Sequence, residues 1–413
     1  MIGGLLGCSS QIFRYLSLYY SYPVVVNINS VNGYSMEFPA VTICNFNAVR
    51  KAFVPCLIEQ LSYEDCNETI FTNKSEIEFW TNIKLSSCLD NLIEIANPAI
   101  FKQLKFVTVY SKLNATTRKY YGHQQETFIK SCYFDGIACS HSDFTSQQNS
   151  IFGNCYTFNK GIEREPVLRI FDVGPQHGLD LELDLETSEY LWMTENVGAQ
   201  VVIHNPFSEP DPQIEGFSVS PGFETAIRLS KISFRRLPYP YKDQCIHYKP
   251  GNDQWKCSID CTRKVIYSIC SCDIPFYGNA DDVRYCDLNN DTEVCCMVLN
   301  STVTLRDCKC PLACENSRYE MKVSNTLWPS RASKKARLKE RTTESVNELQ
   351  ESISVEEFRE TRLRVNIYFD TLEHLIYQQS PMFEDSEVLS QIGGQMGFRY
   401  YTKLADVIAY CFV

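Results

Sequence analysis

The stretch CIHYKPGNDQWKCSIDCTRKVIYSICSCDIPFYGNADDVRYCDLNNDTEVCCMVLNSTVTLRDCKCPLAC, residues 245–314, holds 11 of the chain's 20 cysteines. Its tight pairs are mixed: C-x-C at Cys270/Cys272 and Cys308/Cys310, C-x₃-C at Cys257/Cys261 and Cys310/Cys314, and the doublet Cys295-Cys296. A zinc site needs two tight cysteine pairs of C-x₂₋₄-C type or nearby histidines, and only His247 lies close. The spacings therefore read as disulfides formed in an oxidising compartment, with no metal and no cofactor. The segment is too loop-rich to hold a core unaided. Five Asn-x-Ser/Thr sequons, at Asn67, Asn73, Asn114, Asn290 and Asn300, agree with passage through the secretory pathway.

Outward from this segment, the 413 residues exceed the size at which one hydrophobic core stops growing, so several subdomains are expected. Net charge is −11, which disfavours nucleic acid, and none is expected as a partner, because phosphate binding needs clustered Lys and Arg. Upstream, VVVNIN and FPAVTIC between Pro23 and Asn45 are rich in β-branched residues and read as strand. Residues 48–97 turn helical, with Ile77, Trp80 and Ile83 and then Leu89, Leu92 and Ile93 at helical spacing, stapled by Cys56, Cys66 and Cys88. Residues 131–245 return to strands and turns. Asp180–Glu186 alternates strictly, LWMTENVGAQVVIHNP ends in a strand before Pro206, and Pro221-Gly222 breaks the next strand region in two. Downstream, Arg331–Leu363 is charged and helix-favouring, a solvated helical face, and RVNIYF resumes as strand. The order of strand, helical insertion, strands, disulfide-rich insertion and strand predicts an α+β architecture: a central sheet carrying elaborated insertions.

The ends are short for membrane spans. MIGGLLGCSSQIFRYLSLYYSYPVVV carries Arg14 and stops at Pro23, and FRYYTKLADVIAYCFV carries Arg399, Lys403 and Asp406. A spanning helix needs about 20 mostly apolar residues, so neither end reads as a complete one. The cluster Tyr15, Tyr19, Tyr20 and Tyr22 suits a membrane–water interface. The 6 histidines are scattered, and no Gly-x-Ser-x-Gly elbow, histidine pair or phosphate loop is present, so an enzyme is not expected.

Five ordered motifs carry a resemblance. They are YYSYPVVVNINSV…MEFPAVTICN (Tyr19–Asn45), GNCYTFN (Gly153–Asn159), Pro221-Gly222-Phe223 with LPYPYKDQC, the cysteine series ending CKCPLAC before YEMKVSNTLWPS, and LSQIGGQMG (Leu389–Gly397). In these the chain resembles the degenerin/epithelial sodium channel/acid-sensing channel family, and among its subfamilies the invertebrate peptide-gated (FMRFamide-type) channels. The resemblance implies a hand-like ectodomain with a palm sheet, finger, knuckle, β-ball and disulfide-rich thumb. The implied divisions are 1–22 for the remnant of a first membrane helix, 23–47 for a palm strand and 48–130 for the finger. Residues 131–244 would be β-ball, palm and knuckle strands, 245–363 the thumb, 364–388 a palm strand and wrist, and 389–413 the pre-pore motif with a partial second membrane segment. It further implies a homotrimer or heterotrimer in the plasma membrane, mostly extracellular, in contact with lipid and conducting sodium in an amiloride-sensitive way, with a neuropeptide or protons as gating ligand.

The same resemblance implies the pairs Cys44–Cys155, Cys132–Cys139, Cys245–Cys314, Cys257–Cys310, Cys261–Cys308 and Cys272–Cys286, with Cys270 joining Cys295 or Cys296. That leaves Cys56, Cys66, Cys88 and one of the doublet as extras. Tyr19 or Tyr20 matches the aromatic wrist position, and Tyr241 lies near a thumb-loop aromatic. Gly393, Gly394, Gln395 and Gly397 match the pre-pore motif. The chain departs from the family where Phe398-Arg399-Tyr400-Tyr401-Thr402 stands in place of a Gly-x-Ser filter, and in lacking a His-Gly motif before the first helix. These departures make a truncated or secreted, non-conducting subunit that binds ligand or modulates partner subunits the alternative. For proton sensing, the candidate carboxylates are Glu182/Asp184/Glu186 and Glu356/Glu357, if pairs approach one another.

Overall fold

The computed structural model describes residues 2–66, 75–89, 98–161, 166–249, 251–276, 284–333 and 355–394. A helix, Ile2–Tyr19, leads into β1 (Val24–Asn32), β2 (Met36–Glu37) and β3 (Ala40–Asn45). Short helices Val54–Ile58, Glu76–Asn82, Pro98–Tyr110, Ala115–Tyr121 and Gln125–Phe128 follow. Next come β4 (Ile129–Phe134), β5 (Ile137–Ala138), β6 (Phe144–Asn149), β7 (Gly153–Phe158), β8 (Arg169–Ile170) and β9 (Leu179–Asp184). Then come β10 (Ala199–His204), β11 (Phe217–Val219) and β12 (Phe223–Arg235). Helices Gln254–Cys270 and Asp291–Asp307 precede β13 (Glu315–Leu327), and helix Val355–Thr361 leads into β14 (Arg362–Pro381). A further helix runs from residue 385 to 394, where the described residues stop.

The mixed α+β class expected from the order of elements is what the chain adopts. One sheet runs β13-β12-β14-β9-β4-β5, with β1 also pairing β14; a second runs β11-β10-β3-β7-β6; β2 and β8 form a small third. Alternation explains the inner strands. LDLELD places Leu179, Leu181 and Leu183 at 0% exposure while the acids between them face outward, as a pleat of period two requires. These leucines pack with Ile227, Leu229, Val365 and Ile367 of their own sheet and with Val41, Ile43 and Phe158 of the second, forming one core between the sheets. GNCYTFN begins with a glycine for a physical reason. Gly153 has φ +69°, and a Cβ there would run into the backbone of Ala48.

β14 is longer than RVNIYF indicated. Residues 362–367 pair with β9, residues 373–381 pair with β1, and β12 runs parallel beside it with a bulge between Leu229 and Lys231. β1, read as strand together with FPAVTIC, lies in a different sheet from β3 and is exposed along nearly its whole length. The charged segment expected to be helical contributes the helix Val355–Thr361, and residues 334–354 lie outside the described residues.

A second core joins the two insertions. Trp80, Phe106, Tyr110 and Tyr121 from the first pack with Ile266, Ile274, Leu288, Val294 and Met297 from the second. Asp253 caps helix Gln254–Cys270, its carboxylate accepting from the Lys256 N–H at 2.7 Å, and Ser271 ends it in the left-handed conformation.

Candidate functional site

Disulfides tie the second insertion into a ladder. Cys245–Cys314 closes its base, Cys257–Cys310, Cys261–Cys308 and Cys270–Cys296 form rungs, and Cys272–Cys286 fastens the tip. Cys44–Cys155 joins β3 to β7, and Cys132–Cys139 closes the turn after β4. The extras are bonded too: Cys56 to Cys66, and Cys88 to Cys295, which joins the first insertion to the second. Cys272, Cys286 and Glu293 converge within 4.8 Å, but both sulfurs are in a disulfide and no thiolate is left to hold a metal.

Below the ladder the chain segments meet at the end of helix Ile2–Tyr19. Tyr22 takes φ +49° and turns the chain into β1. Its ring meets Tyr241, from the loop at the ladder's base, at 5.7 Å between centroids and edge-on. The contact partner is thus Tyr22, not Tyr19 or Tyr20. Tyr20 is 63% exposed and packs edge-on against Tyr19 at 5.2 Å. The Tyr19 hydroxyl donates to Asp385 Oδ1 at 2.6 Å, and Tyr15 meets Phe383 at 5.3 Å. The Met382 N–H donates to the Pro23 carbonyl at 2.9 Å, holding the two chain segments side by side.

Gln379 of β14 secures the Tyr241 loop. Its side-chain carbonyl accepts from the Leu237 N–H at 3.0 Å, and its amide donates to Asp243 at 2.6 Å. One amide therefore closes both ends of residues 237–243 onto β14. Gly393 and Gly394 are the last described positions of the helix that begins at residue 385, and a Cβ on either would meet nothing within 4 Å. Gln395 and Gly397 lie outside the described residues.

The acidic candidates face cations instead of each other. Arg362 bridges Glu182 at 2.9 Å and Asp184 at 3.1 Å, Arg364 binds Asp180 and Glu224, and Arg331 holds Glu356 at 3.1 Å. Burial pushes the Glu186 carboxyl up, but the hydrogen bond and charge of His123, 2.7 Å away, hold it net below its ordinary range.

Of the sequons, Asn114 and Asn290 are exposed, whereas Asn300 is half-buried in a helix and donates to the Cys296 carbonyl at 2.8 Å. Asn67 and Asn73 lie outside the described residues. Among the described residues no helix is long and apolar enough to cross a membrane.

A cleft of 410 Å³ opens where the first insertion meets the second sheet. Phe46, Phe106, Phe152 and Met193 supply apolar walls, and Lys102 and Glu195 are ion-paired at 2.6 Å beside them. Lys102 also stands over the Trp192 ring at 4.9 Å. The cleft's far wall hangs on a buried asparagine. Asn47 Oδ1 accepts from the Leu191 N–H at 3.0 Å and the Thr194 hydroxyl at 2.9 Å, and both of those residues line the cleft. The sequence reading did not single out Asn47, Gln379 or Asp385, and it named Tyr22 only as one of the interfacial tyrosines.

A profile described as "Amiloride-sensitive sodium channel" matches residues 1–399. Acid-sensing ion channel 2 of Rattus norvegicus is 27% identical over 423 residues, covering 95% of this chain and 75% of that protein. Acid-sensing ion channel 1 of Gallus gallus is 28% identical over 417 residues, covering 97% and 74%. The epithelial sodium channel subunit alpha of Xenopus laevis is 24% identical over 467 residues, covering 94% and 72%. Among solved structures, a proton-activated chloride channel aligns over 100% of this chain and 96% of that one at a TM-score of 0.35 and 6% identity, too slight a likeness to argue from.

Proposed function

The chain belongs to the amiloride-sensitive sodium channel family, whose members are ion channels and not enzymes, and from that premise we propose that it is a ligand-gated subunit of a sodium-selective channel opened by a peptide. In this reading it assembles as a homotrimer or heterotrimer in the plasma membrane, with most of the chain extracellular. Val26 and Ile28 on one face of β1 and Val25 and Val31 on the other, 40% to 62% exposed, support assembly, because apolar side chains left uncovered gain by packing on a neighbour.

The observation that carries the peptide reading is the cleft of Phe46, Phe106, Phe152 and Met193 with its Lys102–Glu195 pair. A peptide ending in an aromatic amide needs apolar walls for its rings and a carboxylate for its cationic groups, and its ring burial is worth about 0.5–1.5 kcal/mol per aromatic contact beyond area alone. A proton-gated reading needs carboxylates that approach one another, and those of β9 meet guanidinium groups instead.

Whole-cell current in oocytes tests this, with amidated aromatic peptides and acid pulses applied in turn. The expected result is a peptide-evoked, amiloride-blocked sodium current that is lost in Met193→Trp, which fills the cleft, while surface delivery persists. Currents evoked by acid alone, or a silent chain at the surface under both stimuli, would overturn it.

A further inference from the structure

The tyrosines around Tyr22 enclose space as well as touching each other. Tyr19, Tyr22, Tyr241 and Phe383 wall a second cavity of 410 Å³, closed at its edge by Glu384 and Asp385. That volume suits a small organic molecule. Asp385 accepts the Tyr19 hydroxyl, and among the described residues neither carboxylate has a Lys, Arg or His partner. Both stand at the start of the helix that begins at residue 385.

The lining selects its ligand by charge and shape. An anion meets two carboxylates and is repelled. A neutral apolar molecule displaces water from those carboxylates without replacing it, at a cost in desolvation. A bare metal ion finds too few oxygen ligands and gains little from rings. A compact organic cation satisfies both parts, its charge near the carboxylates and its body against the ring faces, where the aromatic quadrupole attracts it. We propose that this cavity binds a small organic cation of the quaternary-ammonium or aryl-amidinium class. Bound there, it touches the end of the first helix through Tyr22, the ladder's base through Tyr241 and the helix that begins at residue 385 through Asp385. It thereby clasps all three segments at once, adding to the Tyr22–Tyr241 and Tyr19–Asp385 contacts. The site is separate from the peptide cleft and does not depend on which ligand gates the channel.

The test is a titration of the full chain, purified in nanodiscs, with benzyltrimethylammonium followed by saturation-transfer NMR. Benzyl alcohol serves as the neutral comparator. Binding of the cation, with benzyl alcohol at least tenfold weaker, is expected. Tyr241→Leu and the double variant Glu384→Gln/Asp385→Asn should each weaken it about tenfold. Tyr241→Phe and Met193→Trp should leave it unchanged, the latter reporting that the cleft above is not the site. Raising sodium chloride should weaken it through screening of the carboxylates. Equal affinity in Tyr241→Leu and the parent chain, equal binding of benzyl alcohol, or loss of binding in Met193→Trp alone would overturn the assignment. Should Tyr241→Leu fail to fold, the exposed Glu384→Gln/Asp385→Asn pair decides on its own.

Discussion

Replacing Asn47 by Ala should cost about 3–5 kcal/mol and slacken the cleft wall. Asn47 is fully buried. Its amide donates to the Val49 carbonyl at 2.7 Å and the Glu189 carbonyl at 2.9 Å, and stands 3.0 Å from His123 Nε2. Its oxygen holds Leu191 and Thr194. Alanine leaves the buried Leu191 N–H and the Val49 carbonyl without their side-chain partner, at about 1–3 kcal/mol for each orphaned group, and adds a small cavity. Asn47→Asp is the sharper probe. It keeps the acceptor for Leu191 and Thr194 but turns a carboxylate oxygen toward two carbonyls, so it should also destabilise. The assay is thermal unfolding of the purified chain by intrinsic fluorescence, alongside hydrogen exchange of residues 189–196. A lowered midpoint with faster exchange confined to that segment is expected. A midpoint within about 1 °C of the parent, or unchanged exchange at Leu191, would refute the reasoning.

Three further outcomes follow from other residues. His204 is buried and held at about pKa 4, its Nδ1–H donating to the Asn205 carbonyl and its Nε2 accepting from Thr42. Its folded pKa lies below its unfolded value, so the unfolded chain takes up the proton first: stability should fall by roughly 3 kcal/mol as pH drops from about 6.5 to 4 and level off below, and His204→Gln should flatten that part of a pH series of melts. Gln379→Leu should free residues 237–243, seen as faster deuterium uptake there with β12 unchanged; equal uptake would show that the amide does not hold the loop. Peptide mapping without reduction should link Cys88 to Cys295 and Cys270 to Cys296, and Cys88→Ser/Cys295→Ser should lower stability by up to about 4–5 kcal/mol, since that bridge spans 207 residues. The reverse linkage, Cys88 to Cys296 and Cys270 to Cys295, would refute this assignment of the doublet.

Why some of this was legible and some was not comes down to range. DLELDLE announced its strand because one face of the pleat is buried against a second sheet and the other is wet, a contrast written in every second residue. The lower half of β14, LIYQQS, has neighbours on both edges but no layer covering a face, so its composition carries no alternation and its strand went unread beyond Tyr368. The cysteine spacings established disulfides but left the doublet open. Successive helical residues point about 100° apart, so Cys296 faces the neighbouring helix while Cys295 faces the first insertion, and the partner that decides the matter, Cys88, lies far upstream.

The wrist shows the same limit in its finest form. Four tyrosines lie within eight residues, Tyr15 to Tyr22, and composition alone ranks them equally. What separates them is a single backbone choice at Tyr22, whose left-handed φ ends the helix and swings its ring toward Tyr241, while Tyr19, one turn back, points to Asp385 on a segment 366 residues away. A helix continued through Tyr22 would carry its ring about 60° away from Tyr19's, as three residues at 3.6 per turn dictate, and would leave Tyr241 without an aromatic partner. The contact is therefore created by the turn and not by the aromatic pattern. Its counterpart, Gln379, is equally silent in sequence, because an amide that closes a loop looks like any polar residue on an exposed strand until the loop is in place.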